Sequence, residues 1–287
     1  DLSDYDLVIT SCSGYIARGF KVGKTTKVVA YCHTPPRFLY GYETSIDLQK
    51  YWLVKIYAYV VNHFLRKFDF EAASRVDKWV VNSRNVQNRV KKFYRKDSQV
   101  VYPPIDVDKL GGKTDDLDRA NYFLIVSRLV GAKGLEEAAR AAGELGFELK
   151  IAGGSAGYTK VEERLKEMGV EMLGRVSDEE LISLYAKAKG FIALARDEDF
   201  GMTVVESMAV GTPVIAFNGG GFKETVKDGV TGVLIKGTDV ESIRKGMDQF
   251  NRIKWDQEQI KKWAERFSRQ RFEKEFERVI SETIENA

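Results

Sequence analysis

The sequence predicts an α/β fold of two domains, each built on a parallel sheet. Three observations predict it. Short runs rich in Val, Ile and Phe recur along the chain, with helix-period segments of about ten residues between them. Several of these runs end in glycine-containing loops that lead straight into a helix pattern. A proline pair and a polar, glycine-containing stretch interrupt the pattern near residues 102–117.

In chain order, the strand-type runs are Leu7 to Thr10, Lys27 to Tyr31, Lys78 to Asn82, Gln99 to Tyr102, Tyr122 to Ser127, Glu148 to Ala152, Gly190 to Ala195 and Pro213 to Phe217. The helical patterns are Tyr51 to Phe70, Glu136 to Leu145, Lys160 to Met168, Asp178 to Ala188, Thr203 to Val210 and Val240 to Phe250. Strands alternating with helices mean βαβ units. Pro103-Pro104 and Gly111-Gly112-Lys113 place the domain boundary, so the expected domains are 1–110 and 111–254. The remainder, 255–287, reads as helix. Trp263, Phe267, Phe272 and Phe276 form an apolar stripe expected to pack back toward the first domain.

Composition excludes several classes. The chain has 287 residues, 44% hydrophobic and 30% charged, as globular proteins do. With 45 basic against 42 acidic residues, the net charge of +3 gives no concentrated basic face, so nucleic acid is not an expected partner. The two cysteines, Cys12 and Cys32, are too few for a disulfide framework and point to a reducing, cytoplasmic compartment. The longest apolar stretch, Tyr51 to Leu65, is broken by Lys55, Asn62 and His63 and is too short to span a bilayer. Asp1 to Asp4 is acidic and does not resemble a signal peptide.

Parallel sheets bind ligands at the carboxyl ends of their strands, and five loops there carry chemistry. Ser127 to Gly134 holds Arg128 and Lys133, two cations at a helix N-terminus that suit a pyrophosphate; alone, they also suit two solvated side chains on a turn. Gly153-Gly154-Ser155-Ala156-Gly157 lets a ligand approach the backbone, or makes an ordinary tight turn. Arg196 to Thr203 runs into a helix with Glu198 and Glu206 flanking its start, a carboxylate pair suited to a sugar or ribose diol. Free N–H groups around Gly201, Met202 and Thr203 suit an anion or a sugar oxygen, and the carboxylates equally suit helix capping. Asn218 to Glu224 is a fourth such loop. In the first domain, Tyr31 to Phe38 holds His33 at a strand end among prolines, placed to hydrogen-bond a substrate hydroxyl or to serve the structure. His63 reads as structural.

Together these residues resemble a known family. Ser-Arg-Leu129 followed by Lys133, Glu198-x7-Glu206, Glu206-Ser-Met-Ala-Val-Gly-Thr-Pro-Val-Ile-Ala216 and Gly219-Gly220…Glu224-Thr-Val…Asp228-Gly-Val-Thr-Gly232 are similar to the retaining glycosyltransferases of family 4. In the first domain, Tyr31-Cys-His-Thr-Pro-Pro36, Asn82-Ser83 and Val101-Tyr-Pro-Pro-Ile-Asp106 resemble the mannosyltransferase branch of O-antigen and lipopolysaccharide synthesis. The match covers nearly the whole chain.

The resemblance implies a GT-B fold, two Rossmann-like domains facing across a cleft. It implies a nucleotide-sugar donor, GDP-mannose rather than a UDP-sugar, a glycan or lipid-linked acceptor, retention of configuration by same-face attack, and no bound metal or other cofactor. Arg128 and Lys133 would hold the diphosphate and stabilise the leaving group. Glu206 would bind the ribose hydroxyls and Glu198 the donor sugar. Gly153, Phe200, Gly201, Met202 and Thr203 would line the donor site, the loop Gly174-Arg175-Val176 would meet the base, and His33 would reach the sugar from the opposite domain. Family members open with a strand and a glycine-rich loop, whereas Tyr5 to Thr10 resembles a late strand. The first domain is therefore expected to lack its opening βα units, through trimming or completion by another polypeptide.

The helix Tyr51 to Phe70, with aromatics beside Lys50, Lys55, Arg66 and Lys67, suits peripheral docking on the cytoplasmic membrane face, or packing in a core. The alternatives to a transferase are a module that holds nucleotide sugar without transferring it, and a two-domain epimerase or phosphorylase. An epimerase would order its carboxylates and histidines differently. Nothing in the sequence marks the pyridoxal-bearing lysine that a phosphorylase needs.

Overall fold

The computed structural model describes residues 1–42, 52–111, 118–154 and 161–285. The chain divides by its internal contacts into two units, Asp1–Pro103 with Gln270–Ala287, and Pro104–Arg269.

The first unit is a parallel sheet of β1 (Leu7–Cys12), β2 (Lys27–Cys32), β3 (Lys78–Val81) and β4 (Gln99–Val100), in that spatial order. α1 (Trp52–Ser74) precedes β3, and α2 (Arg84–Tyr94) lies between β3 and β4. The register pairs Leu7 with Lys27 and Cys12 with Cys32. Alternation along β2 sends Val28, Ala30 and Cys32 to one face, where they pack with Trp79, Val86 and Val90. Val29 and Tyr31 go to the other face, with Val80, Val101, Phe272, Phe276 and Val279. α2 starts at Ser83, whose hydroxyl accepts from the Val86 N–H at 3.1 Å. α1 is anchored by its last turns, with Asp69, Ala72 and Ala73 buried.

That anchor contains a buried ion pair. Arg18 and Asp69 have no exposed side-chain surface, and the guanidinium donates to the carboxylate. Tyr94 and Tyr40 donate to the other carboxylate oxygen at 2.8 and 2.7 Å. Arg18 also lies over the rings of Trp79 and Tyr94.

The second unit begins with α3 (Val107–Gly111) and continues through β5 (Tyr122–Val126), α4 (Leu135–Leu145), β6 (Glu148–Ala152), α5 (Val161–Glu167) and β7 (Glu171–Gly174). It goes on with α6 (Asp178–Lys187), β8 (Gly190–Ala193), α7 (Met202–Ala209), β9 (Val214–Phe217), α8 (Phe222–Thr225), β10 (Gly232–Ile235), α9 (Val240–Arg252) and α10 (Gln257–Ala264). Its parallel sheet runs β10-β9-β8-β5-β6-β7, so the order reverses between β5 and β8. Apolar residues of α4 and α9 cover one face, with Ile125, Ile151, Ile192 and Ile215 beneath them.

Two expectations change. The contact boundary falls at Pro103/Pro104 rather than at 110/111, because α3 packs on α7 of the second unit. The segment 255–287 is two helices, not one. α10 packs on α7, Phe267 meets Phe200 with ring centroids 5.4 Å apart, and the Trp263 indole donates to the Thr225 carbonyl at 2.7 Å, all within the second unit. Only α11 (Arg269–Glu285), from Gln270 onward, belongs to the first unit, where Phe272 and Phe276 pack edge-on against Tyr31.

Candidate functional site

The loops after β5 and β8 frame a cavity of about 30 Å³ at the point of strand-order reversal. Its walls include Ser127, Lys133, Ala195, Glu198, Thr203 and Phe222. Leu129 and Val130 are buried and pin the first loop, and the Leu129 N–H donates to the Gly154 carbonyl at 3.2 Å. Lys133 therefore faces the second loop, and its ammonium donates to Oε2 of Glu198 at 2.6 Å. Both side chains are mostly covered, 27% and 18% exposed. Arg128 is exposed and is not among the residues that wall this cavity.

Close backbone contacts hold these loops. Gly153 has φ +139°, and a Cβ there would sit 1.9 Å from the Ser127 carbonyl oxygen. Only glycine lets the ends of β5 and β6 approach in this way. The Gly153 N–H also donates to the Gly174 carbonyl at 2.7 Å, which ties in the end of β7. Val176 follows, half-buried, and Arg175 packs over Gly154. Ser155 to Gly157 lie outside the described residues. The fourth glycine loop supports the third: the Gly221 N–H donates to the Glu198 carbonyl at 2.8 Å, and a Cβ on Gly220 would meet the same oxygen at 2.3 Å.

Gly201 caps α7 in a left-handed conformation, and its carbonyl accepts from the Val204 and Val205 N–H groups. The N–H groups of Met202 and Thr203 open the first turn and have no acceptor within the helix. Phe200 is buried on Phe267 and lines neither cavity. The first turn of α7 divides two cavities. Thr203 walls the small one, and Met202 walls a second of about 200 Å³ lined by Pro104, Lys109, Asp178, Ile182, Tyr185 and Glu206.

Glu206 stands in this larger cavity, and the Tyr185 hydroxyl donates to its Oε2 at 2.8 Å. Burial pushes the Glu206 carboxyl up from the usual range, the Tyr185 hydrogen bond opposes that shift, and Asp178 adds to it. Burial also holds the Tyr185 hydroxyl protonated far above the usual tyrosine range. Lys109 and Asp178 form an exposed ion pair at 2.7 Å beside the cavity. The two carboxylates expected to share one diol thus occupy different cavities. Glu198 lies in the loop before α7 and Glu206 on the helix beyond its first turn, so they point to opposite sides of that turn.

His33 belongs to the first unit, at the carboxyl end of β2. Its Nε2 is 2.8 Å from the Ser11 hydroxyl, its N–H donates to the Cys12 carbonyl, and its carbonyl accepts from the Asn82 amide at 3.0 Å. Tyr185, Asp178 and Lys109 carry no signal in the sequence that marks them as site residues. Among the described residues, no three His, Cys, Asp or Glu side chains gather at metal-binding spacing.

The glycosyl transferases group 1 model matches residues 108–267, more than half of the chain. The chain belongs to this glycosyl transferase family. Residues 1–109 match the glycosyltransferase family 4 model as well. A D-inositol 3-phosphate glycosyltransferase of Mycolicibacterium smegmatis is 30% identical over 191 residues, 59% of this chain and 44% of that one. The chain spans about half the length of the curated relatives it matches. Sucrose-phosphate synthase of Thermosynechococcus elongatus has the same fold, with TM-score 0.76 at 16% identity over 99% of this chain and 75% of that one. So does Anabaena HepE in complex with UDP and glucose, with TM-score 0.66 at 18% identity over 97% and 78%. The fold is GT-B, with two Rossmann-like α/β domains.

Proposed function

We propose that this glycosyl transferase moves a sugar from a nucleotide-sugar donor to a glycan or lipid-linked acceptor, with retention of configuration. The mannosyltransferase-like motifs of the first domain favour GDP-mannose as donor. The observation that carries the reading is the pair of cavities on either side of the first turn of α7, one holding Lys133 with Glu198 and the other holding Glu206. Glu206 takes the ribose hydroxyls. Lys133, with Arg128, takes the diphosphate and stabilises it as it leaves, which supplies the positive charge without a metal. The base meets the loop Gly174 to Val176, beside Gly153.

The Lys133–Glu198 ion pair has a specific part in this scheme. A diphosphate draws the ammonium onto itself and releases Glu198 to accept from hydroxyls of the donor sugar, beside the backbone of Phe200, Gly201, Met202 and Thr203. His33 is assigned a hydrogen bond to the same sugar. That UDP and glucose occupy the HepE structure supports a nucleotide-sugar donor here by likeness of fold.

Calorimetric titration with GDP-mannose, UDP-glucose and UDP-N-acetylglucosamine tests the reading, on the wild-type chain and on Arg128→Ala, Lys133→Ala and Glu206→Ala. One donor should bind, and each substitution should remove most of its affinity. No binding of any of the three to folded protein at millimolar concentration would reject it. Binding without transfer to any acceptor would favour the non-catalytic module.

α1 supports the proposed membrane contact. Trp52, Ile56, Tyr57, Tyr59, Val60 and Phe64 are all exposed on it, with Arg66 and Lys67 on the same helix. No helix among the described residues is long and apolar enough to cross a membrane. Such a helix instead docks in the headgroup region of anionic lipid. Co-sedimentation with vesicles containing phosphatidylglycerol should fall on Trp52→Ser and Phe64→Ser; equal recovery of wild type and variant removes this partner.

A further inference from the structure

We propose that Tyr185 is the positioning residue for ribose recognition: its hydroxyl fixes the Glu206 carboxylate in the plane that a ribose 2′,3′-diol requires. The inference rests on the assignment of Glu206 to the ribose.

The geometry sets this tyrosine apart from a core aromatic. Tyr185 is fully buried, its ring lies 5.7 Å from that of Phe191, and its hydroxyl is aimed at Glu206 in the wall of the larger cavity. A phenylalanine would fill the same volume, so packing alone does not call for the hydroxyl. A phenol donates one hydrogen, and a carboxylate offers about four acceptor positions. Tyr185 takes one position on Oε2 and leaves the rest for two neighbouring ribose hydroxyls.

The phenol is itself held from behind. The backbone carbonyl of Tyr185 accepts from the Thr212 hydroxyl at 2.7 Å. Thr212 in turn accepts from Arg119 at 2.9 Å. The same guanidinium donates to the carbonyls of Ala188 and Gly211, both at 2.7 Å. Arg119 therefore ties the end of α6 to the turn after α7, and the tyrosine cannot swing away from the acid. A carboxylate oriented in advance loses less side-chain entropy when the diol arrives.

The experiment is calorimetry with GDP and UDP and with their 2′,3′-dideoxy forms. It is run on wild type, Tyr185→Phe, Glu206→Gln and the double variant. Tyr185→Phe should weaken the ribonucleotide about tenfold, the share of affinity expected from a charge-assisted hydrogen bond, and leave the dideoxynucleotide unchanged. In the Glu206→Gln background the same substitution should have no further effect. Equal weakening of ribo- and dideoxynucleotide, or no weakening of either, would overturn the proposal and leave the donor assignment standing. If wild type binds neither GDP nor UDP, the donor assignment falls, and the positioning role with it.

Discussion

The two sheets of this chain are built alike, yet they spend their polar side chains differently. In the first, β1 to β4 follow one another across the sheet in a single direction. In the second, β5 has β6 and β7 on one side and β8, β9 and β10 on the other. Where the order reverses, successive connections leave to opposite faces and a gap opens between them. Lys133 and Glu198 stand in that gap. The one-way sheet has no such point among its described strands. Its polar residues there are tied to one another: Ser11 with His33, Asn82 with His33, Arg89 with Thr34. Its strongest charges, Arg18 and Asp69, lie inside the unit. The difference teaches that two parallel sheets of similar sequence texture divide the work, one placing its ion pair inside the packing and the other in a cavity at its switch point.

The largest expected effect tests the structural half of that contrast. Asp69→Ala strands the buried Arg18 guanidinium and removes the acceptor of Tyr40 and Tyr94. It should cost about 3–5 kcal/mol of stability. Thermal or urea unfolding measures this, and a loss below about 1 kcal/mol would mean that the pair carries little of the first unit. Gly153→Ala tests the other half. Its φ of +139° and the Ser127 carbonyl leave no room for a methyl group, so strain of about 2–3 kcal/mol is expected, together with loss of nucleotide binding. Retained binding would show that the end of β6 does not shape the site.

The smallest effect is a pH dependence. The Glu206 carboxyl is pushed up by burial first and by Asp178 next, against the Tyr185 hydrogen bond. Asp106, Lys109 and Asp178 are the other charged groups around its cavity. Nucleotide affinity should therefore fall with acidification along a limb above the usual glutamate range, and the limb should vanish in Glu206→Gln. For stability the sign is opposite. A carboxyl that keeps its proton to higher pH in the folded state contributes stability below its unfolded value and loses it as pH rises through the folded one. A pH series of melting temperatures for wild type and Glu206→Gln reads this difference.

Much of the second unit was legible in the sequence because its inner strands are buried on both faces and read as continuous apolar runs. β7 and β10 are edge strands with one partner each; β7, Glu-Met-Leu-Gly, has only two apolar residues, whereas β10, Gly-Val-Leu-Ile, is as apolar as the inner strands but directly follows the turn residues Asp228 to Thr231. α2 escaped notice because it is basic, with a narrow stripe at Val86, Val90 and Tyr94. In the site, Lys133, Glu198 and Glu206 were visible through their spacing around strand ends and glycines. Their division between two cavities was not, since it depends on which side of a helical turn each carboxylate leaves. Tyr185 was invisible for a related reason: in an amphipathic pattern a tyrosine counts as an aromatic, and only packing shows where its hydroxyl points.

α11 lies after the whole second unit in the sequence, yet it completes the first. Phe272, Phe276 and Val279 cover Val29, Tyr31, Val80 and Val101. During synthesis the first sheet must therefore wait, with that face bare, until the second unit has been made. A stop codon near Arg269 would leave a finished second unit attached to an adhesive sheet. Such a product should aggregate, and Phe272 and Phe276 should be as intolerant of polar replacement as any residue in the core.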